Sequence, residues 1–586
     1  MGRRTFRTLV ASLFAALPLA QCDSVSYDYD TYAEGDPAGA PYQTYLSNTD
    51  LKPLELQINS NQSGLASGYV FIGVNGEPTS TQNWPAIYDM SEERMGTLVW
   101  TGEYIEPFDF RAQTYKGQPV LTLFTGELLN GYGHGSYYIL NQSYVEIGHF
   151  SPVGFENLGD LHEFSITADD TALVPIYHAV QADLTELGGA SDAWIFECTF
   201  QEINIQTNKL LFEWNATTHV GFNESYNTIE DVGTEAAPFD YFHINSIEKD
   251  VNGDYLVSGR VMDCVYKISG DDGHIIWRLG GKQSDFQLDA NVSFAFQHDA
   301  RWVDDEQTRL TIFDNGPTDS VDYSRGLLLS VDQNAKTVSL IQDFYNGAKT
   351  FGQFEGSLQA INRTDPNTNF MLGYGSQPFF AEFKSNGDIL LDAQFGKTNE
   401  VNGYRAYKLP WQGKPLTKPD IHFDSDRNQA YFSWNGATDV EDWVVYTANS
   451  TNTTSWMNVT SARRTGFETT IDLSDVELGT YVRGQAVNAS GGGLGWTRAS
   501  DGNQLYDAPD DVETISTTSM TSSSTSSSSS STSTPITTSS TPIATSVTGT
   551  APAPASSTTG AAVKLAHEVR GQVYVAAVVI VGGLIV

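Results

Sequence analysis

Six β-rich runs that end on a large aromatic recur along this chain, at Trp100, Phe150, Trp214, Trp277, Phe344 and Phe395, with separations of 50, 64, 63, 67 and 51 residues. The stretches between them alternate short strand-like runs with Gly, Asn and Asp turns, and no long amphipathic helical pattern interrupts them. A unit of this length, holding several strands, is what one blade of a propeller with long loops contains. The clearest unit reads NGDYLVSGR, VYKIS, GHIIWRLGG; it is echoed by TRLTIFDNG, GLLLSVDQ, KTVSLIQDF and by TNFMLGYGS, FFAEFKS, GDILLDAQF. The expected fold is all-β, a six-bladed β-propeller over residues 47–415. A stacked pair of β-sandwiches is the competing arrangement.

The pattern changes over residues 419–507, where AYFSWNGA, WVVYTAN, TTIDLS and GTYVRGQAVNASG alternate apolar positions around a Trp in an early strand. This stretch resembles a fibronectin type III-like β-sandwich and carries nothing that suggests catalysis.

Both ends read as addressing segments. Residues 1–21 place Arg3, Arg4 and Arg7 ahead of the apolar run 9–20, the order of a secretory signal peptide. Residues 514–560 are nearly all Ser, Thr, Pro and Ala, which bury no apolar area and read as a disordered, O-glycosylated stalk. Small residues Gly560, Ala561 and Ala562, a polar spacer and the apolar run 573–586 follow, so that 561–586 reads as a GPI-attachment signal or a C-terminal membrane helix. Ten Asn-x-Ser/Thr sequons fit the same secretory, cell-surface route. With the leader removed, Cys198 and Cys264 form either one disulfide or two buried thiols.

The formal charge of −39 excludes nucleic acid as a partner on electrostatic grounds. The expected partners are a small aromatic or sulfated substrate, whose charge a few local Arg can accommodate inside a cavity, and the cell wall or membrane surface.

In a propeller the innermost strand of each blade lines the central channel, so its leading residue faces the axis. Three histidines take that place: His162 in HEFSITADD, His243 in HINSIEK and His298 in QHDARWV. The sixth unit offers Ser357 and Gln359 in SLQAIN, and Asp109 and Arg111 stand near the inner edge of the second. Imidazole suits both proton transfer and nucleophilic attack near neutrality. Arg301 and Arg325 are candidate oxyanion clamps through paired N–H donors. No HExxH, Walker loop or GxSxG elbow is present, which lowers zincin, nucleotide hydrolase and α/β-hydrolase readings. No cofactor and no protein-bound metal is expected.

The pieces DLHEFSITADDTALVPIY, FQEINIQTNKLLFEW, DYFHINSIEKDVNGDYLVSGR, GHIIWRLGGKQSDF, FQHDAR, FDNG and YRAYKLPWQGKP, spread over residues 84–415, resemble the fungal branch of the arylsulfotransferase (ASST) family. The resemblance implies a six-bladed propeller that moves a sulfuryl group from a phenolic sulfate to another phenol. The implied route is a sulfated histidine, with further His and an Arg holding the sulfate and no nucleotide donor. Carried onto this sequence, HINS and QHDAR make His243 and His298 the catalytic candidates, with His162, Arg301 and Arg325 binding substrate. The pattern also departs from the family. The bacterial nucleophile comes from a later part of the propeller, whereas here no His lies between His298 and His422, and Val261 stands where relatives are expected to carry His or an aromatic. Two other readings stay open: a non-catalytic propeller that binds glycan or protein at the cell wall, and an oxidoreductase-type propeller whose channel histidines hold a metal.

Overall fold

The computed structural model describes residues 42–76, 83–129, 131–318, 321–510 and 513–516. The leader, the Ser/Thr tract past Ser516 and the C-terminal tail lie outside the described residues. Among the described residues the fold is all-β, with only four short 3-10 turns besides strands, and no helix is long and apolar enough to cross a membrane.

Six antiparallel sheets follow one another between Tyr69 and Leu409. Their first strands are Ala406–Leu409, Phe108–Tyr115, Ser165–Ile166, Ile244–Lys249, His298–Trp302 and Ser357–Ala360, each followed outward by three more in meander order. The first sheet takes its first strand from the far end of the region, since Ala406–Leu409 pairs with Tyr69–Gly73. The sixth gains an outer strand from the near end, since Gln57–Asn61 pairs with Ile389–Gln394. Both ends of the region are therefore tied by backbone hydrogen bonds to strands over 300 residues away.

The six aromatics occupy equivalent places. Trp100, Phe150, Trp214, Trp277 and Phe344 lie on the fourth strand of five successive sheets, and Phe395 just past the fourth strand of the sixth. All are buried. They fall into core clusters between sheets: Trp214 packs with Tyr255 and Ile247 of the following sheet, Trp277 with Trp302 and Ile312, and Phe344 with Phe370 and Phe383. Each ring covers the face that its own sheet cannot cover, which is why one large aromatic per unit recurs.

Residues past Asp420 form a three-stranded sheet and a second, seven-stranded sheet that share one core of Phe423, Phe432, Trp443, Val445, Ile471 and Val482. This part is fastened to the first sheet by Asn435, whose side chain receives the N–H of Thr101 at 3.1 Å and donates to its carbonyl at 2.8 Å. The last strand, Glu513–Ser516, pairs with Ser455–Asn458, so strand pairing reaches slightly into the Ser/Thr-rich tract. Cys198 and Cys264 are both buried free thiols, which settles that alternative against a disulfide.

Candidate functional site

The first strands of successive sheets lie beside one another, except that Ile244–Lys249 meets the second strand of the sheet before it, Thr171–Ala182; Ser357–Ala360 meets Ala406–Leu409, which in turn meets Phe108–Tyr115. At their leading ends stand Phe108, His162, His243, His298, Gly356 and Tyr404. Several of these strands open with a bulge: register shifts fall at Phe108/Arg111, Ile244/Ser246 and His298/Arg301. Asp109, His243 and Asp299 adopt left-handed backbone (φ 49°, 57° and 53°) at these points. A bulge re-aims a side chain that regular alternation would send elsewhere, and here it does so for consecutive residues at one end of the strand ring.

Two of the three predicted histidines meet. Nε2 of His162 lies 3.2 Å from Nε2 of His243, with ring centres 4.8 Å apart. Each Nδ1 faces a carboxylate at 2.5 Å, Asp160 for His162 and Asp240 for His243. The ring of Tyr177 lies 5.6 Å from one imidazole and 5.5 Å from the other, and Tyr404 gives its hydroxyl to the His162 carbonyl at 2.7 Å. Only 4% of His162 and 7% of His243 is exposed. Burial lowers the affinity of His243 for a second proton, and although Asp240 opposes this, burial prevails.

His298 is held differently. Asn315 uses its amide NH2 on the carbonyls of Gly352 and Glu355, so its Oδ1 accepts from His298 Nδ1 at 2.6 Å. That fixes the tautomer and leaves Nε2 as an acceptor, which receives the backbone N–H of Glu355 at 3.1 Å. Burial, then the neighbouring Arg260, keep this imidazole neutral well below its ordinary pKa.

Arg260 is the cation nearest to these rings in electrostatic terms, acting on both His243 and His298. It sits in the SGR segment that directly follows the second strand of the fourth sheet, and its own N–H bonds to the His243 carbonyl at 2.9 Å. Its guanidinium lies 5.0 Å from the ring of Phe296 and reaches the Gln353 carbonyl at 3.3 Å, while its buried Nε has no partner. A partly unsatisfied guanidinium beside neutral imidazoles is an anion-attracting arrangement.

Beside these leading residues lies a charge-balanced layer, in which Asp109, Glu163, Asp299 and Arg405 directly follow Phe108, His162, His298 and Tyr404, and Arg111 and Arg301 stand two residues beyond Asp109 and Asp299. Glu163 accepts from Arg111 at 2.6 Å and from Arg301 at 2.5 Å; Asp109 accepts from Arg405 at 2.9 Å; Asp299 accepts from Arg301 Nε at 2.9 Å. Burial pushes the Glu163 carboxyl up, but the three guanidinium groups outweigh it and hold it ionised. Arg301, expected to clamp an anion, is thus engaged by Glu163, Asp299 and the Ile247 carbonyl. Arg325 is likewise engaged by Asp314, Asp343 and the Ser293 carbonyl. Arg111 and Arg301 also line a separate cavity of about 650 Å³, together with Gln113, Gln359 and Tyr407.

The sequence reasoning missed Asp160, Asp240, Arg260, Asn315 and Arg405. A signal was present for two of them, Asp160 and Asp240, and for the layer beside them. Asp stands two residues before His162 and three before His243, and Asp-x-Arg occurs twice, at Asp109 and Asp299, in equivalent bulges. The absence of a histidine from the sixth unit also has a cause. Gly356 has φ +102°, and a Cβ there would meet the Phe313 ring at 2.4 Å, so no side chain fits.

Residues 111–396, which hold the three histidines, match the family model of arylsulfotransferase (ASST). No curated protein sequence matches the chain. Among solved structures, similarity extends to a protein of unknown function from Bacteroides caccae at 13% identity, covering 58% of this chain and 99% of that one with a TM-score of 0.32. A putative 6-phosphogluconolactonase from Bacteroides fragilis matches at 10% identity, covering 58% and 99%, with a TM-score of 0.32. A β-propeller domain from Myceliophteria thermophila matches at 9% identity, covering 55% and 91%, with a TM-score of 0.28.

Proposed function

We propose that residues 47–415 form a six-bladed propeller of the fungal arylsulfotransferase branch, followed by a fibronectin III-like sandwich. Its reaction is the transfer of a sulfuryl group between phenolic compounds through His243. The contact that carries this reading is the 3.2 Å approach of His162 and His243, each backed by a carboxylate, beside the incompletely paired Arg260.

With both Nδ1 protons on carboxylates, the route takes up one further proton from solvent on His162 Nε2, and the Nε2 lone pair of His243 attacks. Attack on the sulfur of Ar–O–SO3⁻ forms the N–S bond and breaks the S–O bond, and the departing phenolate takes the proton from His162. Sulfo-His243 then keeps its Nδ1–H on Asp240, whose negative charge compensates the cationic ring. An acceptor phenol reverses the steps, giving its proton back to His162 as its oxygen attacks sulfur. Arg260 stabilises the equatorial sulfuryl oxygens.

His298 serves as a neutral wall of the site, since its Nε2 lone pair already receives the Glu355 N–H. None of the ten sequon asparagines is buried, in keeping with a secreted, cell-surface glycoprotein anchored through its C-terminus. Incubation of the purified protein with a chromogenic aryl sulfate and a second phenol tests the reading. Release of the chromophore dependent on the second phenol supports it; no transfer under any acceptor leaves the non-catalytic glycan- or protein-binding reading in its place.

A further inference from the structure

The His162–His243 contact poses a problem that the transfer chemistry does not exhaust. Both Nδ1 atoms are committed to carboxylates at 2.5 Å, so both Nε2 atoms present lone pairs, and they do so across 3.2 Å. A proton on one of them relieves the repulsion best when the lone pairs point at each other. Two imidazoles in line across such a gap would have ring centres roughly 5.5 Å apart. The observed separation is 4.8 Å, so the ring axes are tilted off the line joining the two nitrogens.

Tilted axes at this spacing suit two ligands of one ion. Imidazole nitrogens about 2.0–2.1 Å from a tetrahedral metal lie on the order of 3.4 Å from each other. A ligating His also usually donates its other N–H to a carboxylate, which fixes its tautomer and raises its basicity, and both rings have that partner here. Tyr177 walls both rings, and each is nearly buried. Among the described residues no third His, Cys, Asp or Glu joins the pair, so water or an anion would have to complete the coordination.

We propose that His162 Nε2 and His243 Nε2 form a binding site for a divalent transition-metal ion such as Zn²⁺ or Cu²⁺, oriented by Asp160 and Asp240. Metal and sulfuryl group require the same nitrogens, so an ion held there blocks transfer and acts as its inhibitor. The site itself does not depend on the transfer reading, because its readout is binding.

The test uses the purified full-length chain after chelation, titrated calorimetrically with Zn²⁺ at neutral pH, and Cu²⁺ electron paramagnetic resonance on the same protein. Expected are one Zn²⁺ per chain and a Cu²⁺ signal split by two nitrogens. His274→Ala, which removes an exposed imidazole outside the pair, binds as the parent does. His162→Ala and His243→Ala lose the site. Asp160→Asn and Asp240→Asn, which keep the imidazoles, weaken binding by about 10- to 100-fold in protein whose circular dichroism matches the parent. Absence of one-to-one Zn²⁺ binding, a Cu²⁺ signal without nitrogen splitting, or unchanged affinity in both Asn variants overturns the proposal, whatever the result of the sulfuryl-transfer assay.

Discussion

Glu355 donates its backbone N–H to Nε2 of His298 at 3.1 Å, and so closes the lone pair that a nucleophilic histidine would need. The same residue is in left-handed backbone at φ 64°, and its carbonyl is fixed by Asn315. The two catalytic candidates in the sequence are thereby distinguished: His298 Nε2 faces a fixed backbone donor, whereas His243 Nε2 faces the ring nitrogen of His162.

That separation predicts unequal effects of two substitutions. His243→Ala should reduce aryl sulfate transfer by about 10³-fold or more, the scale of losing a nucleophile. His298→Ala should cost on the order of 10- to 100-fold, because it removes packing and a neutral wall. Steady-state kcat/KM of the two variants, with folding checked by circular dichroism, decides it; equal losses would contradict the assignment.

Arg260 should act on charge developed at the sulfuryl oxygens. Arg260→Gln is expected to lower kcat by about 10²- to 10³-fold while leaving thermal stability close to the parent, since this guanidinium makes no ion pair shorter than 4 Å in the described structure. Arg260→Lys keeps the charge without the planar fork and should recover part of the loss. A variant as active as the parent would remove Arg260 from the site.

Glu355 should make stability depend on pH. Burial raises its carboxyl from 4.5 to about 8, and its Oε2 has no partner. The folded state therefore holds a proton that the unfolded state has released, and stability falls as pH rises from about 4.5 to about 8, by at most about 1.4 kcal/mol per pH unit. Asp263 and Asp314, each raised to about 6 by burial, add to the same slope at its acidic end. Glu355→Gln should flatten the Tm-versus-pH curve between pH 6 and 8 relative to the parent, on the order of the interval given above. An identical slope in the variant refutes it.

Arg405 lies buried between Asp109 and Asp299 and also donates to the Asn245 carbonyl at 2.7 Å. Arg405→Met leaves three buried carboxylates facing two guanidinium groups, and should destabilise the protein by about 3–5 kcal/mol in denaturant unfolding. A loss below about 1 kcal/mol would mean that the layer is not electrostatically closed.

The strand count was legible because one large aromatic per unit must cover the face between neighbouring sheets, so Trp100 through Phe395 recur at a spacing set by sheet size. The histidines were legible as leading residues of inner strands. What was not legible is which polar groups already have partners. Arg301 and Arg325 read as free clamps in one dimension, but the bulge at His298/Arg301 turns Arg301 toward Glu163, which lies 138 residues away. Arg260 gave no signal of its own, because its place beside His243 depends on the pairing of Ile244 with Gly259. Gly356 reads as a turn residue, and only the Phe313 ring above it explains why the sixth unit has no histidine there.

In the proposed reaction His243 carries the sulfuryl group. Rapid quenching into alkali during turnover of an aryl sulfate, followed by proteolysis and peptide mass spectrometry, tests it most directly. The expected result is one sulfo group per chain on the peptide that contains His243, absent in His243→Ala. A sulfo group on His162 or His298 instead, or turnover with no sulfated peptide at all, would contradict it.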